Sequence, residues 1–295
     1  MRAGTSSPSS AVPVPDGVTP RSKLREFGAA MGRRTRRFLW PLVGFLAIIG
    51  AWQGVLLVLA TPSYLVPKPS DVVQATVENA APLAHSVLRT ASAAALGLGL
   101  AVALGVGGAI ILGFSKRLEE AFFPYAIVLQ TTPIIAVAPL IVIWFGAGIQ
   151  SIVIISFLIS FFPMISNTLV GLNSVDADSR NLFRLHRASK WKTMRKLRIP
   201  AAMPYIMAGM KISSGLSVIG AIVGEFVAGI GGGRGGLGYV VEVASSQLDT
   251  PYLIAAALAG SLMGIVFFLL VDWISKRFLS WHESVTVEDQ PRGGG

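Results

Sequence analysis

Six apolar runs, each of about 22 residues or more, constrain this chain more than any other feature of its sequence. A helix rises about 1.5 Å per residue, so each run is long enough to cross a hydrocarbon layer of ~30 Å. Hydrocarbon offers no water to backbone amides, and an α-helix satisfies them internally. The sequence therefore predicts an all-α polytopic membrane bundle of six transmembrane helices, over residues 38–60, 89–114, 122–145, 149–172, 201–230 and 251–274.

The composition supports a membrane protein and excludes several other classes. Hydrophobic residues make up 53% of the chain and charged residues 14%, and the mean hydropathy is +0.64, which is too apolar for a soluble domain. The chain has no cysteine, which excludes disulfides, thiolate metal ligands and a cysteine nucleophile. Its histidines, His85, His186 and His282, lack metal-ligand spacing, so we predict no metal site.

The net charge of +10 comes from lysine and arginine placed beside the apolar runs. Lys116 and Arg117 follow the second run, residues 180–198 follow the fourth, and Lys276 and Arg277 follow the sixth. Cytoplasmic connections of membrane proteins carry such an excess. We therefore expect both termini in the cytoplasm, and the lipid bilayer rather than nucleic acid as the partner of this charge.

The charge pattern also divides the chain into a membrane domain and two tails. Residues 38–280 are predicted to form the transmembrane domain, with a cytoplasmic loop at 173–204. Residues 1–37 are rich in serine, proline and basic residues, which predicts a disordered cytoplasmic tail. Residues 281–295 are predicted to form a second cytoplasmic tail.

The loop at 173–204 combines dense basic residues with apolar residues at every third position. This spacing predicts short helical turns with one apolar face. One interpretation is a docking surface for a cytoplasmic partner, and the other is a solvated loop that only fixes orientation. The apolar positions are Leu182, Leu185, Ala188, Trp191, Met194 and Leu197.

Polar residues inside the apolar runs are the candidates for a translocation path. Glu225 stands out, because an ionisable group at the membrane centre costs about 2.5 to 3.5 kcal/mol. No basic residue is evident at its depth, so a path or gate role competes with a structural hydrogen bond between helices. Gln130, Thr131 and Asn167 are weaker candidates for the path.

Proline and glycine inside the runs bear on helix shape and packing. Pro133, Pro139 and Pro163 each remove a backbone donor, which predicts kinks. Small residues let helix backbones approach closely in lipid, which predicts a tightly packed bundle or a homodimer face on the second run. Its glycines are Gly97, Gly99, Gly105, Gly107 and Gly108.

Several ordered motifs resemble the permease subunits of bacterial ABC importers, in the nitrate, sulfonate and taurine group. Residues 176–204 resemble the cytoplasmic EAA loop of that superfamily, and residues 65–72, 85–90, 132–148 and 235–241 resemble further stretches of the group. The resemblance extends over roughly residues 40–282. The positions that match the tail of the loop are Ala188, Ser189, Trp191, Ile199, Pro200, Pro204 and Gly209.

The resemblance implies a type I importer permease in the bacterial plasma membrane, working as a homodimer or paired with another permease subunit. Two cytoplasmic ATPases and an extracytoplasmic solute-binding protein would complete the machine. The chain has no GxxxxGK[ST] motif, so ATP and Mg²⁺ would bind the ATPase, and this chain would bind no cofactor and catalyse no reaction. The residues implied to contact the ATPase are Asp176, Leu182, Phe183, Arg187, Ala188, Ser189, Trp191 and Pro200.

The implied cargo is a sulfonate-, nitrate- or taurine-like anion, and a thiamine-precursor pyrimidine or a riboflavin-like solute is the alternative. A passive channel is an alternative of another class, but it leaves the amphipathic loop unexplained. An intramembrane enzyme would need paired aspartates, HExxH, or serine with histidine inside the runs, and the sequence has no such set.

The loop departs from the family pattern at its first half. The family's Glu-Ala-Ala is replaced by Asn181, Leu182 and Phe183, and Arg187 stands where the family has glycine. Glycine enters a left-handed turn more readily than arginine does. The sequence therefore predicts that the loop bends differently here, and that Arg187 pairs with an acidic residue of the ATPase.

Overall fold

A computed structural model describes residue 40 and residues 42–230 and 235–279 of the chain. The predicted tails, 1–37 and 281–295, lie outside the described residues. The chain divides between Leu59 and Ala60 into two units, which are described separately. The first contains helix α1, Leu42–Val58, which is apolar but shorter than a full membrane span.

The second unit is helical throughout its described regular elements, which confirms the predicted all-α class. Short helices α2 and α10 precede long ones, and a π-helical turn separates α8 from α9. The elements are α2 Pro69–Glu78, α3 Ala80–Gly113, α4 Lys116–Thr131, α5 Ile134–Phe145, α6 Ile149–Asn173, α7 Ala177–Leu185, α8 Lys190–Thr193, the π turn Met194–Arg198, α9 Ile199–Ile230, α10 Leu237–Ser246 and α11 Thr250–Leu279.

Four helical segments are long and apolar enough to cross a membrane: α3, α6, Lys190–Gly229 and Thr250–Phe278. They correspond to the predicted second, fourth, fifth and sixth spans. The predicted third span is not one straight helix, because α4 and α5 meet at 93°. Pro133 precedes α5 at this break. Its missing N–H costs nothing there, because the first N–H groups of a helix have no carbonyl partner within the helix.

The fifth span begins earlier than the sequence predicted. Helix α8, the π turn and α9 form one continuous helical segment from Lys190 to Gly229, rather than a loop followed by a helix from residue 201. At about 1.5 Å per residue this rod is roughly 60 Å long. Pro200 lacks the N–H that would bond one turn back, and the helix widens into the π turn immediately before it.

The centre of the bundle is formed by α3, α6 and α9, which pack along their lengths. Gly97 of α3 lies over Ser156 of α6, and the Ser156 hydroxyl donates 2.8 Å to the Ser217 carbonyl of α9. The Ser213 hydroxyl of α9 donates 2.8 Å to the Ser160 carbonyl of α6. Small residues and short hydroxyls thus hold the three backbones close together.

The glycines of α3 divide between two faces. Gly97 and Gly105 pack on α6, whereas a Cβ added at Gly99 or Gly107 meets nothing within 4 Å. The predicted tight packing therefore applies to one face of this helix within the described second unit.

Gly97→Ala and Gly99→Ala are expected to change stability in opposite directions. A Cβ at Gly97 would lie 2.3 Å from the Ser156 Oγ, and such overpacking costs about 1–3 kcal/mol. Gly99 has open space, and alanine favours a helix interior by up to about 1 kcal/mol. Thermal unfolding of the two variants in detergent should show a lower Tm only for Gly97→Ala. Equal Tm values would contradict the close contact of α3 with α6.

Candidate functional site

The two helices of the predicted loop are each capped by a side chain. Asp176 precedes α7 and accepts from the Ser179 N–H at 2.5 Å, and Ser189 precedes α8 and accepts from the Lys192 N–H at 3.2 Å. The hydrogen bonds from Ser179, the backbone one first, hold the pKa of Asp176 below its ordinary value. Asp176 and Ser189 therefore fix where the two loop helices begin.

Arg187 takes the left-handed conformation, with φ +47°, so the prediction that the loop lacks this turn was wrong. The N–H of Ala188 donates 3.0 Å back to the Phe183 carbonyl, and the N–H of Arg187 donates 2.9 Å to the Arg184 carbonyl. This pair of bonds is the Schellman arrangement that ends many helices. The two hydrogen bonds hold a residue that lacks glycine's freedom in the glycine conformation.

Large apolar side chains of the loop face solvent. Leu182 is 53% exposed, Leu185 81% and Trp191 59%. Phe183 and Ala188 are half-buried, and the arginines and lysines at 184, 187, 190, 192, 195 and 196 are exposed. An apolar patch with a basic rim is the composition of a docking surface, because burial of the patch needs a partner.

The same loop is anchored inward to the bundle. Trp191 stacks on Phe114 at the end of α3, with ring centroids 5.9 Å apart and an interplanar angle of 12°. Met194 is 1% exposed and packs in a core cluster with residues of α3, α6 and α9. A force applied at α8 therefore acts directly on the bundle.

Arg198, at the end of the π turn, joins three helices, and the sequence analysis did not single it out. Its guanidinium donates 2.8 Å to the Leu172 carbonyl, 2.7 Å to the Asn173 Oδ1 and also to the Gly113 carbonyl. The Asn173 amide in turn donates 2.8 Å to the carboxylate of Glu119 on α4. Arg198 thus satisfies the last carbonyls of α3 and α6, which have no partner within their own helices. The region around Arg198 is called the basic end of the bundle below.

Glu225 lies at the opposite end and is 3% exposed. Its carboxylate accepts from the Thr90 hydroxyl at 2.8 Å and from the Gly238 N–H at 3.0 Å, and the Thr90 hydroxyl accepts from the Leu237 N–H at 2.8 Å. Glu225 of α9 and Thr90 of α3 therefore cap the start of α10 together. An acceptor oxygen at a helix N-terminus is favourable, because the first N–H groups of a helix have no partner within the helix.

The backbone at the start of α10 fits closely around this carboxylate. Gly236 has φ +92°, and a Cβ there would lie 2.1 Å from the Glu225 carboxyl carbon. A Cβ at Gly238 would lie 2.1 Å from the Ile222 carbonyl oxygen. Gly236 and Gly238 therefore require glycine, because a side chain would meet the Glu225 carboxylate or the Ile222 carbonyl.

Two premises of the sequence analysis about Glu225 were wrong. Arg89 and Glu225 line the same cavity, of about 310 Å³, together with Ser92 and Gly148. Glu225 also lies roughly 40 Å along the helix from Arg198, at about 1.5 Å per residue. That distance exceeds a hydrocarbon layer of ~30 Å, so Glu225 is near the far end of the bundle rather than at its centre.

The other predicted path residues do not join Glu225. Gln130 and Thr131 are exposed at the end of α4, and the Thr131 hydroxyl donates 3.0 Å to the Ile127 carbonyl of its own helix. Asn167 donates 2.8 Å to the Pro163 carbonyl within α6 and packs beside Gly209 of α9. Within the described residues, none of these three side chains lines the Glu225 cavity.

A second cavity, of about 510 Å³, lies between α5 and α9. Its lining is entirely apolar among the described residues and includes Phe226, the neighbour of Glu225 in sequence. Pro139 of α5 also borders it.

Comparisons with known proteins identify the family. A family model described as binding-protein-dependent transport system inner membrane component matches residues 79–280. The chain is 32% identical to the riboflavin transport system permease protein RibX of Chloroflexus aurantiacus, over 85% of this chain and 95% of that protein. It is 32% identical to the formylaminopyrimidine transport permease protein ThiX of Halalkalibacterium halodurans, over 85% of this chain and 99% of that protein.

Further matches agree with this assignment. The putative aliphatic sulfonates transport permease protein SsuC of Bacillus subtilis is 30% identical, over 83% of this chain and 84% of that protein. A solved structure titled "Crystal structure of an amino acid ABC transporter with histidines" has the same fold, with a TM-score of 0.54, 20% identity, and coverage of 68% of this chain and 96% of that chain. The chain therefore belongs to the inner membrane components of binding-protein-dependent transport systems, and it is an ABC importer permease.

Proposed function

We propose that this permease works in the bacterial plasma membrane with a second permease subunit, two cytoplasmic ATPases and an extracytoplasmic solute-binding protein. The basic end of the bundle faces the cytoplasm in this proposal, together with both termini. The distribution of lysine and arginine supports this orientation. The permease itself catalyses no reaction, and ATP with Mg²⁺ binds the ATPase.

The observation that carries the proposal is the exposed apolar surface on a loop that is rigidly joined to the bundle. Leu182 and Leu185 of α7 and Trp191 of α8 face outward and are available to an ATPase groove. Helix α8 continues without a break into α9, and Arg198 ties the junction to α3 and α6. When the ATPases close, movement at the loop turns or shifts α9 as a rod, and the bundle alternates between two arrangements.

We place Glu225 at the outer end of the translocation path. Its carboxylate holds α10 against α3 and α9, so the path opens outward when these contacts change. Gln130, Thr131 and Asn167 are proposed to border the path nearer its middle once two permeases pair. The outward exposure of Gln130 and Thr131 supports this placement.

For the cargo we propose a planar heteroaromatic solute of the pyrimidine or flavin kind. The apolar cavity between α5 and α9, with the aromatic ring of Phe226 in its lining, supports such a cargo. The two relatives at 32% identity carry names of this class. A sulfonate-, nitrate- or taurine-like anion is the second candidate, favoured by the sulfonate and nitrate permeases among the relatives.

Ligand binding by the partner binding protein separates the two cargo classes. The purified binding protein is titrated with riboflavin and formylaminopyrimidine in one set, and with taurine, an alkanesulfonate and nitrate in the other. Tight binding in the first set, together with competition for uptake by the same compounds, is the expected result. Binding confined to the second set would overturn the heteroaromatic proposal and leave the importer assignment intact.

A further inference from the structure

Three charged side chains form a cluster between α9 and α11. The Lys211 ammonium lies 2.6 Å from the Oδ1 of Asp272, and the Lys276 ammonium lies 2.7 Å from its Oδ2. Lys211 belongs to α9, whereas Asp272 and Lys276 belong to α11, four residues apart. Asp272 therefore receives one lysine from across the helix interface and one from its own helix.

The cluster is partly buried within the bundle. The side chains of Lys211 and Asp272 are 29% and 21% exposed, whereas Lys276 is 69% exposed. Ionisable residues inside membrane helices are costly, and they are retained where they are paired and have a role. The sequence analysis passed over both Lys211 and Asp272, although each interrupts an apolar run as Glu225 does.

The position of Lys211 allows its ion pair to transmit movement from the loop to α11. Lys211 is on the continuous rod that begins at α8 with Lys190, so it moves with the ATPase-docking loop. Helix α11 packs against α9, α10 and α2, and α10 is the helix that Glu225 holds at the opposite end. A link from the rod to α11 therefore connects the loop with the elements around α10.

We propose that Lys211 is a positioning residue for transport: its ion pair with Asp272 makes α11 follow α9 when the ATPases close. This inference rests on the proposed function and adds a role for residues outside the loop and the path. Lys276 neutralises Asp272 within α11 and takes no part in the link between the helices.

Asp272 is paired with two lysines, and the second lysine supplies a matched control. Lys211→Met and Lys276→Met each remove one ammonium and leave Asp272 paired with the other lysine. Only Lys211→Met breaks the contact between α9 and α11. The two variants therefore share their change in composition and charge, and they differ in whether the lost lysine reaches Asp272 from α9 or from α11 itself.

The experiment uses the complete complex of permease, ATPase and binding protein in proteoliposomes. Solute uptake and ATP hydrolysis are measured together, and uptake per ATP hydrolysed is the readout. We expect Lys211→Met to lower this ratio at least fivefold with the complex still assembled, and Lys276→Met to stay within twofold of the wild type. Lys211→Arg keeps the charge and is expected to retain most of the ratio.

Chemical rescue tests the ammonium group itself. The full chain has no cysteine, so Lys211→Cys introduces a single thiol into the permease. Aminoethyl methanethiosulfonate rebuilds a lysine-like ammonium there, whereas methyl methanethiosulfonate adds a neutral group. We expect only the aminoethyl reagent to restore the ratio, with wild-type complex treated in parallel to account for thiols of the partner subunits.

Several results would overturn the proposal. One is an unchanged ratio in Lys211→Met, and another is an equal loss in both methionine variants. Selective loss of folded protein in Lys211→Met would assign the pair to stability alone. ATP-dependent uptake by the wild-type complex is the internal standard, so a failure of the importer function itself is seen separately, as wild-type vesicles that take up nothing.

Discussion

Replacing Leu182 with glutamate is expected to lower recovery of the ATPase with this permease at least about tenfold. Leu182 is 53% exposed on α7, in the apolar part of the proposed docking surface. A carboxylate there would be desolvated without a partner, and an uncompensated buried charge costs about 3–5 kcal/mol, where ~1.4 kcal/mol is a factor of ten. The measurement is co-purification of the ATPase through an affinity tag on the permease.

Leu248→Glu is the control, because Leu248 is also an exposed leucine, at 65%, but lies after α10. It should leave ATPase recovery unchanged. Arg187→Glu is expected to weaken recovery as well, since Arg187 is exposed beside the patch and is predicted to face an acidic residue of the ATPase. Full recovery with Leu182→Glu would remove α7 from the docking surface.

Glu225→Ala is expected to reduce uptake at least about tenfold while leaving the complex assembled. The substitution removes the acceptor of the Gly238 N–H in a site that is 3% exposed, and an unmet buried group costs about 1–3 kcal/mol, whereas the Thr90 hydroxyl can still donate to the Ser86 carbonyl at 3.0 Å. Helix α10 then loses its hydrogen bond to α9 and keeps only the bond from the Leu237 N–H to Thr90 of α3. Uptake and ATPase recovery are measured on the same preparations.

Glu225→Gln separates the hydrogen bond from the charge. Glutamine keeps one carbonyl oxygen that can accept from the Gly238 N–H, so its uptake should fall less than that of Glu225→Ala but below the wild type, because an amide nitrogen replaces the second oxygen in the cavity shared with Arg89. Glu78→Ala is the control, as Glu78 is exposed and bonds Gln74 of its own helix. Normal uptake by both Glu225 variants would make this residue dispensable for the path.

Length and apolarity were enough to predict the main helices from the sequence. A single apolar run in hydrocarbon can satisfy its backbone hydrogen bonds only by forming a helix. The sequence therefore located α3, α6, α9 and α11 within a few residues of their ends, apart from the start of α3. The break between α4 and α5 lies at Pro133, where the sequence predicted a kink. The angle of 93°, however, depends on packing that a single run does not encode.

The sequence predicted which residues form the candidate docking surface, but not how the loop is joined to the transmembrane helices. The amphipathic pattern of the loop located Leu182 and Trp191, yet the continuity of α8 with α9 was hidden by Pro200, which usually interrupts a helix. The positive φ of Arg187 was missed, because arginine disfavours this conformation on its own. Two backbone hydrogen bonds at the end of α7 outweigh that preference. Local patterns do not report which distant backbone groups lack partners.

The long-range partners lay beyond sequence reasoning for the same reason. Arg198 was one of many basic residues in its segment, and only the fold brings it to the last carbonyls of α3 and α6. Glu225 was singled out correctly as unusual, but Thr90 and Arg89 are more than a hundred residues away along the chain. Lys211 and Asp272 each carried the signal that singled out Glu225, an ionisable residue within an apolar run.

The most direct test of the account is solute uptake by proteoliposomes that contain the permease with its binding protein and ATP, with the ATPase present or omitted. We expect uptake to require both ATP and the ATPase, and to fall at least about tenfold when a Leu182→Glu permease is used. Uptake at an undiminished rate without the ATPase would contradict the account, because the chain would then be a channel that needs no motor.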